Sequence, residues 1–135
     1  MNNCEAAYLA GIIDGEGSIT LTRMQANEFR RPCISISSTD KELLEYIQTL
    51  TCGTIVNKKN YNPSKHKNSF TLIIKKKDNV LMILNHIYPY LRIKQKKERC
   101  LWIIQRYEMV TPRNGKYSKS LLEQKLLFEK SFFNI

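Results

Sequence analysis

Tyr8-Leu9-Ala10-Gly11-Ile12-Ile13-Asp14-Gly15-Glu16-Gly17-Ser18-Ile19 contains a change of period. Up to Ile13 the residues from Cys4 read as a short helix that is apolar on nearly every side, and such a helix must be buried. Ala10 and Gly11 leave part of its surface almost bare, so a second helix could approach backbone to backbone. The helix is expected to stop at Asp14-Gly15-Glu16-Gly17, where two glycines supply the backbone freedom a helix exit uses. From Ser18 to Met24 the period becomes two, with Ile19 and Leu21 on one side and Thr20 and Thr22 on the other, as in a half-buried strand.

The same stretch carries an electrostatic oddity. The last turn of a helix ends in unpaired carbonyls and the negative end of the helix dipole. Asp14 and Glu16 add carboxylates there, which costs stability unless a cation is present. A hard divalent ion such as Mg²⁺ (or Mn²⁺) takes carboxylate and carbonyl oxygens plus water, and would suit the Glu16 carboxylate and the Gly15 carbonyl. An ordinary turn after a core helix uses the same residue types, and spacing alone does not separate the two readings.

Outward from this segment, Cys33–Ser38 alternates again, placing Ile34 and Ile36 inward and Cys33, Ser35 and Ser37 outward. Thr39–Thr51 reads as a helix, with a capping box from Thr39 and Glu42 and an apolar face of Leu43, Ile47 and Leu50, ended by Gly53. Thr54–Tyr61 and Asn68–Lys75 form a second strand pair around the polar Asn62-Pro63-Ser64 loop, with Phe70, Leu72 and Ile74 alternating with Ser69, Thr71 and Ile73. Asp78–Tyr88 is a helix built on Val80, Ile83, Leu84 and Ile87. Lys94–Glu108 is another, and Ser120 with Glu123 caps a final helix to about Phe133. The order α-β-β-α-β-β-α with helical additions predicts an α+β fold, a four-stranded antiparallel sheet with helices on one face.

The 135 residues, 42% of them hydrophobic, fit one domain over residues 1–135 with a core of ordinary size. The formal charge of +10 bears on partners and says nothing of fold. From Tyr46 to Lys77 there is no acid, while Lys58, Lys59, Lys65, Lys67 and Lys75–Lys77 all fall there. Arg92, Lys94, Lys96, Lys97 and Arg99 form a second cluster. Two basic runs in one small chain point to a polyanion. Cys4, Cys33, Cys52 and Cys100 have no metal-ligand spacing and read as reduced, mostly buried thiols, and His66 and His86 are too isolated for a zinc site. No apolar run reaches membrane-spanning length. An intracellular, reducing compartment is expected. The Lys, Asn and Ile content suits an AT-rich coding sequence, hence an organelle (chloroplast or mitochondrion) or a prokaryotic cytoplasm.

Leu9–Gly17, reading LAGIIDGEG, resembles the signature motif of the LAGLIDADG homing endonucleases, with Ile12, Gly15 and Glu16 as the variant letters. Pro89-Tyr90-Leu91-Arg92-Ile93-Lys94-Gln95-Lys96 is similar to the family's Pro-aromatic-Leu-x-x-Lys-x-Lys segment. One motif copy resembles the members that act as homodimers. The resemblance implies a site-specific double-strand DNA endonuclease that promotes intron homing. Two signature helices would pack across a dimer axis through Leu9, Ala10, Gly11 and Ile13. Glu16 would bind metal beside the scissile phosphate, and Lys94 would polarise the attacking water or stabilise phosphate charge. A polar family position, often Gln, falls near Asp40, which would either organise water or favour its own helix dipole. An Arg or Lys common one turn later has no match, since Leu43 and Leu44 stand there.

A strand ribbon can enter the major groove, where base edges are distinguishable. The candidate reading surface is Thr20, Thr22, Met24, Arg31, Ser35 and Ser37, with Val56, Lys58, Asn60, Ser69, Thr71, Ile73 and Lys75. Lys96, Lys97 and Lys116 are expected on phosphates. Strands of ~9–10 residues at ~3.3 Å each cover about ten base pairs, so a dimer would take a pseudo-palindromic site of roughly 20 base pairs. An RNA maturase, or a DNA-binding protein without cleavage, is the alternative on the same scaffold. A structural protein of a ribonucleoprotein particle would use neither a metal nor a bare Ala-Gly helix face.

Overall fold

The computed structural model describes residues 1–135. It runs α1 (Asn3–Glu16), β1 (Gly17–Thr22), β2 (Arg31–Ser38), α2 (Lys41–Thr51), β3 (Thr54–Asn57), β4 (Phe70–Ile74), α3 (Lys77–Ile87), α4 (Lys94–Arg106) and α5 (Lys119–Phe133). Short 3₁₀ turns lie at Tyr88–Tyr90 and Glu108–Val110. The four strands make one antiparallel sheet in the order β1-β2-β4-β3, and the helices pack on one of its faces. This is the α+β architecture and αββαββα order expected from the sequence.

Alternation along the strands decides which face is covered. Ile19, Leu21, Ile34, Ile36, Leu72 and Ile74 are at most 3% exposed and join the core with Leu9, Ile13, Ile47, Ile83 and Phe132. Register then stacks short polar side chains on the other face: Ser18 beside Ser35, Thr20 beside Cys33, Ser37 beside Thr71. Two cross-strand hydroxyl pairs, Ser18–Ser35 at 2.7 Å and Ser37–Thr71 at 2.9 Å, tie that face together.

Several local expectations are corrected. α1 does not stop before Asp14: it continues through Glu16, starting from a capping box between Asn2 and Glu5. It ends at Gly17, whose backbone is extended, and the reason for glycine there is space. A Cβ on Gly17 would sit 2.8 Å from Ile13 Cα. The Thr39–Glu42 box is not formed. Asp40 takes the N-cap position of α2, and its backbone N–H donates to Ser38 Oγ at 2.9 Å. The buried face of α2 is Leu44, Ile47 and Thr51, with Leu43 and Leu50 only half-buried. α5 is capped by Ser118, whose side chain accepts from Leu121 N–H, and not by Ser120. Of the four free cysteines only Cys33 and Cys100 are buried; Cys4 and Cys52 are exposed. Cys33 points to the polar sheet face yet is covered there, and its burial raises the thiol pKa. No helix is long and apolar enough to cross a membrane.

The exit of α2 also differs in mechanism. Cys52, with φ 56°, is the left-handed residue, whereas Gly53 serves close packing. A Cβ there would lie 2.8 Å from Leu72 Cδ1, 2.9 Å from Ile74 Cγ1 and 3.0 Å from the Ile73 carbonyl oxygen. Overpacking of this kind costs roughly 1–3 kcal/mol. Gly53→Ala is therefore expected to lower the unfolding free energy by that amount, read as a lower urea midpoint with an unchanged m-value.

Candidate active site and nucleic-acid face

The C-terminal turn of α1 meets the entry to α4. The Asp14 carboxylate accepts from Arg92 N–H at 2.8 Å and from Ile93 N–H at 3.1 Å. Those amides lie immediately before Lys94, where α4 begins, so an acid at the end of one helix satisfies donors at the start of another. In return, Lys96 Nζ donates to the Ile13 and Asp14 carbonyls, each at 2.8 Å. The ammonium lies against the negative end of α1, where a cation is favourable. Asp14 thus supports the helix junction, and its oxygens are committed.

Glu16 is left exposed, two residues beyond Asp14. Two of the terminal carbonyls of α1 are engaged by Lys96, while Gly15 and Glu16 lie in the open part of the last turn. The chain holds no group of three or more His, Cys, Asp and Glu residues able to cage a metal by themselves. A single free carboxylate with a nearby carbonyl fits an ion such as Mg²⁺, which is commonly held by one or two carboxylates and completed by substrate phosphates and water. The donor set is thus suited to an ion shared with a phosphate.

Lys94 and Lys96 part ways in the structure. Lys96 was expected on a phosphate, yet its ammonium is spent on α1 carbonyls because two unpaired acceptors lie within reach. Lys94 projects from the first turn of α4 with its side chain 88% exposed, 3.9 Å from Glu98. Lys97 is half-buried with its ammonium 5.8 Å from the Tyr88 ring centroid. Arg99 also turns inward, donating to the Ile19 carbonyl at 3.4 Å and covering the Phe132 ring. Much of the second basic cluster is therefore structural. Asp40 is exposed, and its carboxylate makes no capping hydrogen bond.

Of the residues expected between two helices, Leu9, Ala10 and Ile13 are each 0% exposed within this one chain. They cannot touch a second chain, which corrects their assignment. With 3.6 residues per turn, Ala6, Leu9, Ala10 and Ile13 form the inward stripe. Cys4, Ala7, Tyr8, Gly11 and Gly15 lie on the opposite, exposed side, and a Cβ on Gly11 would meet nothing within 4 Å. Tyr8 and Tyr46 stack edge-on at 5.8 Å beside this stripe.

On the polar sheet face the structure gathers Thr20, Thr22, Arg31, Ser35, Ser37, Thr71, Ile73 and Val56, and adds Ser18 and Thr54. Ser18 could have been found from its two-residue spacing to Thr20. Met24, Lys58, Asn60, Ser69 and Lys75 lie beyond the strand ends, although Lys58 N–H still bonds the Ser69 carbonyl at 3.0 Å. Lys116 is exposed in the loop before α5.

A four-stranded sheet with one bare polar face, and a carboxylate-bearing helix end at its edge, defines the homing-endonuclease fold. The chain superposes on the homing endonuclease I-CvuI in complex with the I-CreI target, with TM-score 0.75 and 20% identity over 96% of this chain and 80% of that one. It is also similar to the homing endonuclease I-TnaI (TM-score 0.65, 17% identity, 93% and 86% coverage). The archaeal intron-encoded I-Vdi141I complexed with DNA gives TM-score 0.63 at 16% identity, over 98% and 84%. At these identities the likeness is one of fold. No curated protein sequence matches significantly. Residues 3–88 match the LAGLIDADG-like domain, and the chain belongs to that family.

The clamp makes a direct prediction. Hydrogen bonds to a charged group contribute about 1.5–3 kcal/mol when well formed, and Asp14 makes two in a partly solvated place. Asp14→Ala is expected to lose about 2 kcal/mol in denaturant unfolding. Asp14→Asn, which keeps one acceptor, should lose less.

Proposed function

We propose that the protein is a site-specific DNA endonuclease, working as a homodimer with one Glu16 at each of two cleavage centres. The observation that carries this reading is the exposed Glu16 carboxylate at a helix end where the Asp14 carboxylate and the Ile13 and Asp14 carbonyls are engaged, set beside a polar sheet face in a chain of net charge +10. Structures of the similarly folded I-CvuI on DNA were obtained with Mg and with Ca, which supports a divalent ion at this position.

The sheet face supplies binding. Its hydroxyls and the Val56 and Ile73 side chains offer hydrogen-bonding and apolar contacts to base edges in the major groove, and the flanking lysines answer phosphates. A second copy of the chain would meet the bare stripe around Gly11, giving a pseudo-palindromic target of roughly 20 base pairs. In hydrolysis a water oxygen bonds to phosphorus and its proton passes to solvent, while the bond to the leaving deoxyribose oxygen breaks and that oxygen takes a proton from solvent to become a hydroxyl. A bound Mg²⁺ or Mn²⁺ ion would lower the pKa of that water and neutralise phosphate charge. Glu16 holds the negative charge for such an ion and is not the base. Asp14 and Lys96 fix the backbone on which Glu16 stands, and Lys94, exposed at the same junction with only a 3.9 Å contact to Glu98, would meet the phosphate.

Incubation of plasmid libraries bearing candidate insertion sequences with Mg²⁺ is expected to yield defined double-strand breaks. Glu16→Gln should abolish cleavage and keep DNA affinity; undiminished cleavage would refute the role of Glu16. Binding without any cleavage by the wild type would leave the non-cleaving or maturase reading. Gly11→Leu fits the open space of the single chain, so it should leave the fold intact and shift sedimentation from dimer to monomer. A Gly11→Leu dimer would contradict the packing.

A further inference from the structure

A second basic feature lies at the opposite end of β1 from Glu16. A cavity of about 620 Å³ opens where Arg31 begins β2, closed on its inner side by Lys125 of α5. Lys125 is 1% exposed, and its ammonium forms no ion pair. It donates to Thr111 Oγ1 at 2.6 Å and lies 4.5 Å from the Tyr107 ring centroid. The nearest acid along α5, Glu129, is taken by Arg30, through the guanidinium at 2.9 Å and the backbone N–H at 3.1 Å. Burial pushes the Lys125 ammonium down to about 8, with the Glu129 charge opposing. A buried cation with no counter-ion costs stability in the free protein.

The remaining walls do not supply an anion in proportion. Arg31, Lys77 and Arg113 line the same cavity, with Tyr117, and the only acid among the lining residues is Glu28. Glu28 lies 3.7 Å from Arg31. Five cations line the cavity, Arg30 among them; with Arg30 held by Glu129, four remain against one lining carboxylate, with hydroxyl donors among them.

We propose that this cavity seats a backbone phosphate of bound DNA about midway along each half-site. The choice of DNA as the source of the phosphate rests on the nuclease reading, because Arg31 pairs with Thr22 on the polar sheet face. From Gly17 to Thr22 the strand advances by roughly 17 Å at ~3.3 Å per residue. That is about five base-pair steps of ~3.4 Å from the cleavage centre. Such a contact fixes register and adds affinity without reading sequence.

The salt dependence of binding tests this. Affinity for a poly(dA·dT) duplex, measured by anisotropy in Ca²⁺ over a KCl series, gives a slope of log Kd against log salt. Loss of one phosphate contact lowers that slope by about 0.9. Lys125→Met keeps the length of the side chain and is expected to be folded with the lower slope, and Arg113→Gln at the rim should lower it too. An unchanged slope in folded Lys125→Met overturns the proposal. Should Lys125→Met fail to fold, Arg113→Gln and Lys77→Gln decide by the same criterion. Inorganic phosphate that raises the wild-type Tm while the DNA slope stays unchanged in the variants assigns the cavity to a free anion and overturns the DNA contact. A wild type that binds no duplex sinks the nuclease reading itself, whereas a slope unchanged only in the variants sinks the cavity alone.

Discussion

The position of the candidate site depends on the crossed pair of contacts between α1 and α4. An acid at the end of α1 takes two amides before α4, and a lysine of α4 takes two carbonyls of α1. Each contact satisfies groups that a helix terminus leaves without partners, and each places a charge where the opposing helix end favours it. Because the partners are 78 to 83 residues apart in sequence, this junction fixes the position of Glu16 relative to the body of the fold. The carboxylate left over is then the chemically available one.

The same economy explains the two faces of α1. Its inward stripe is fully used by the core, so its outward stripe can be small. Gly11 and Gly15 contribute nothing to packing within the chain, since a Cβ at either would meet open space. Glycine in a helix costs about 1 kcal/mol relative to alanine. A gain from close approach of a second helix would offset that cost.

The strands and the helix order were legible because period-two alternation at Ile19/Leu21, Ile34/Ile36 and Leu72/Ile74 has one physical cause, burial of one sheet face. Caps were less legible. Thr39 with Glu42 and Ser120 with Glu123 have the right spacing, yet competing hydroxyls at Ser38 and Ser118 made the observed bonds. The α1 motif singled out the acids Asp14 and Glu16 at the helix end. It could not reveal that Leu9, Ala10 and Ile13 would be consumed by the chain's own core, since a helix apolar on all sides does not say which side is occupied. Lys96 read as a phosphate ligand and Arg99 as part of a basic run because charge runs carry no direction. Only the fold shows that they turn inward. The buried Lys125 had no sequence signal, lying in a helix with other lysines.

A crystal structure on a duplex selected by the protein itself, grown with Ca²⁺ to prevent turnover, tests the central claim most directly. The account predicts an ion held between the Glu16 carboxylate and a phosphate oxygen, at oxygen–ion distances of about 2.3–2.6 Å, with the polar sheet face in the major groove. Glu16 remote from every phosphorus atom, with no ion between them, would contradict it.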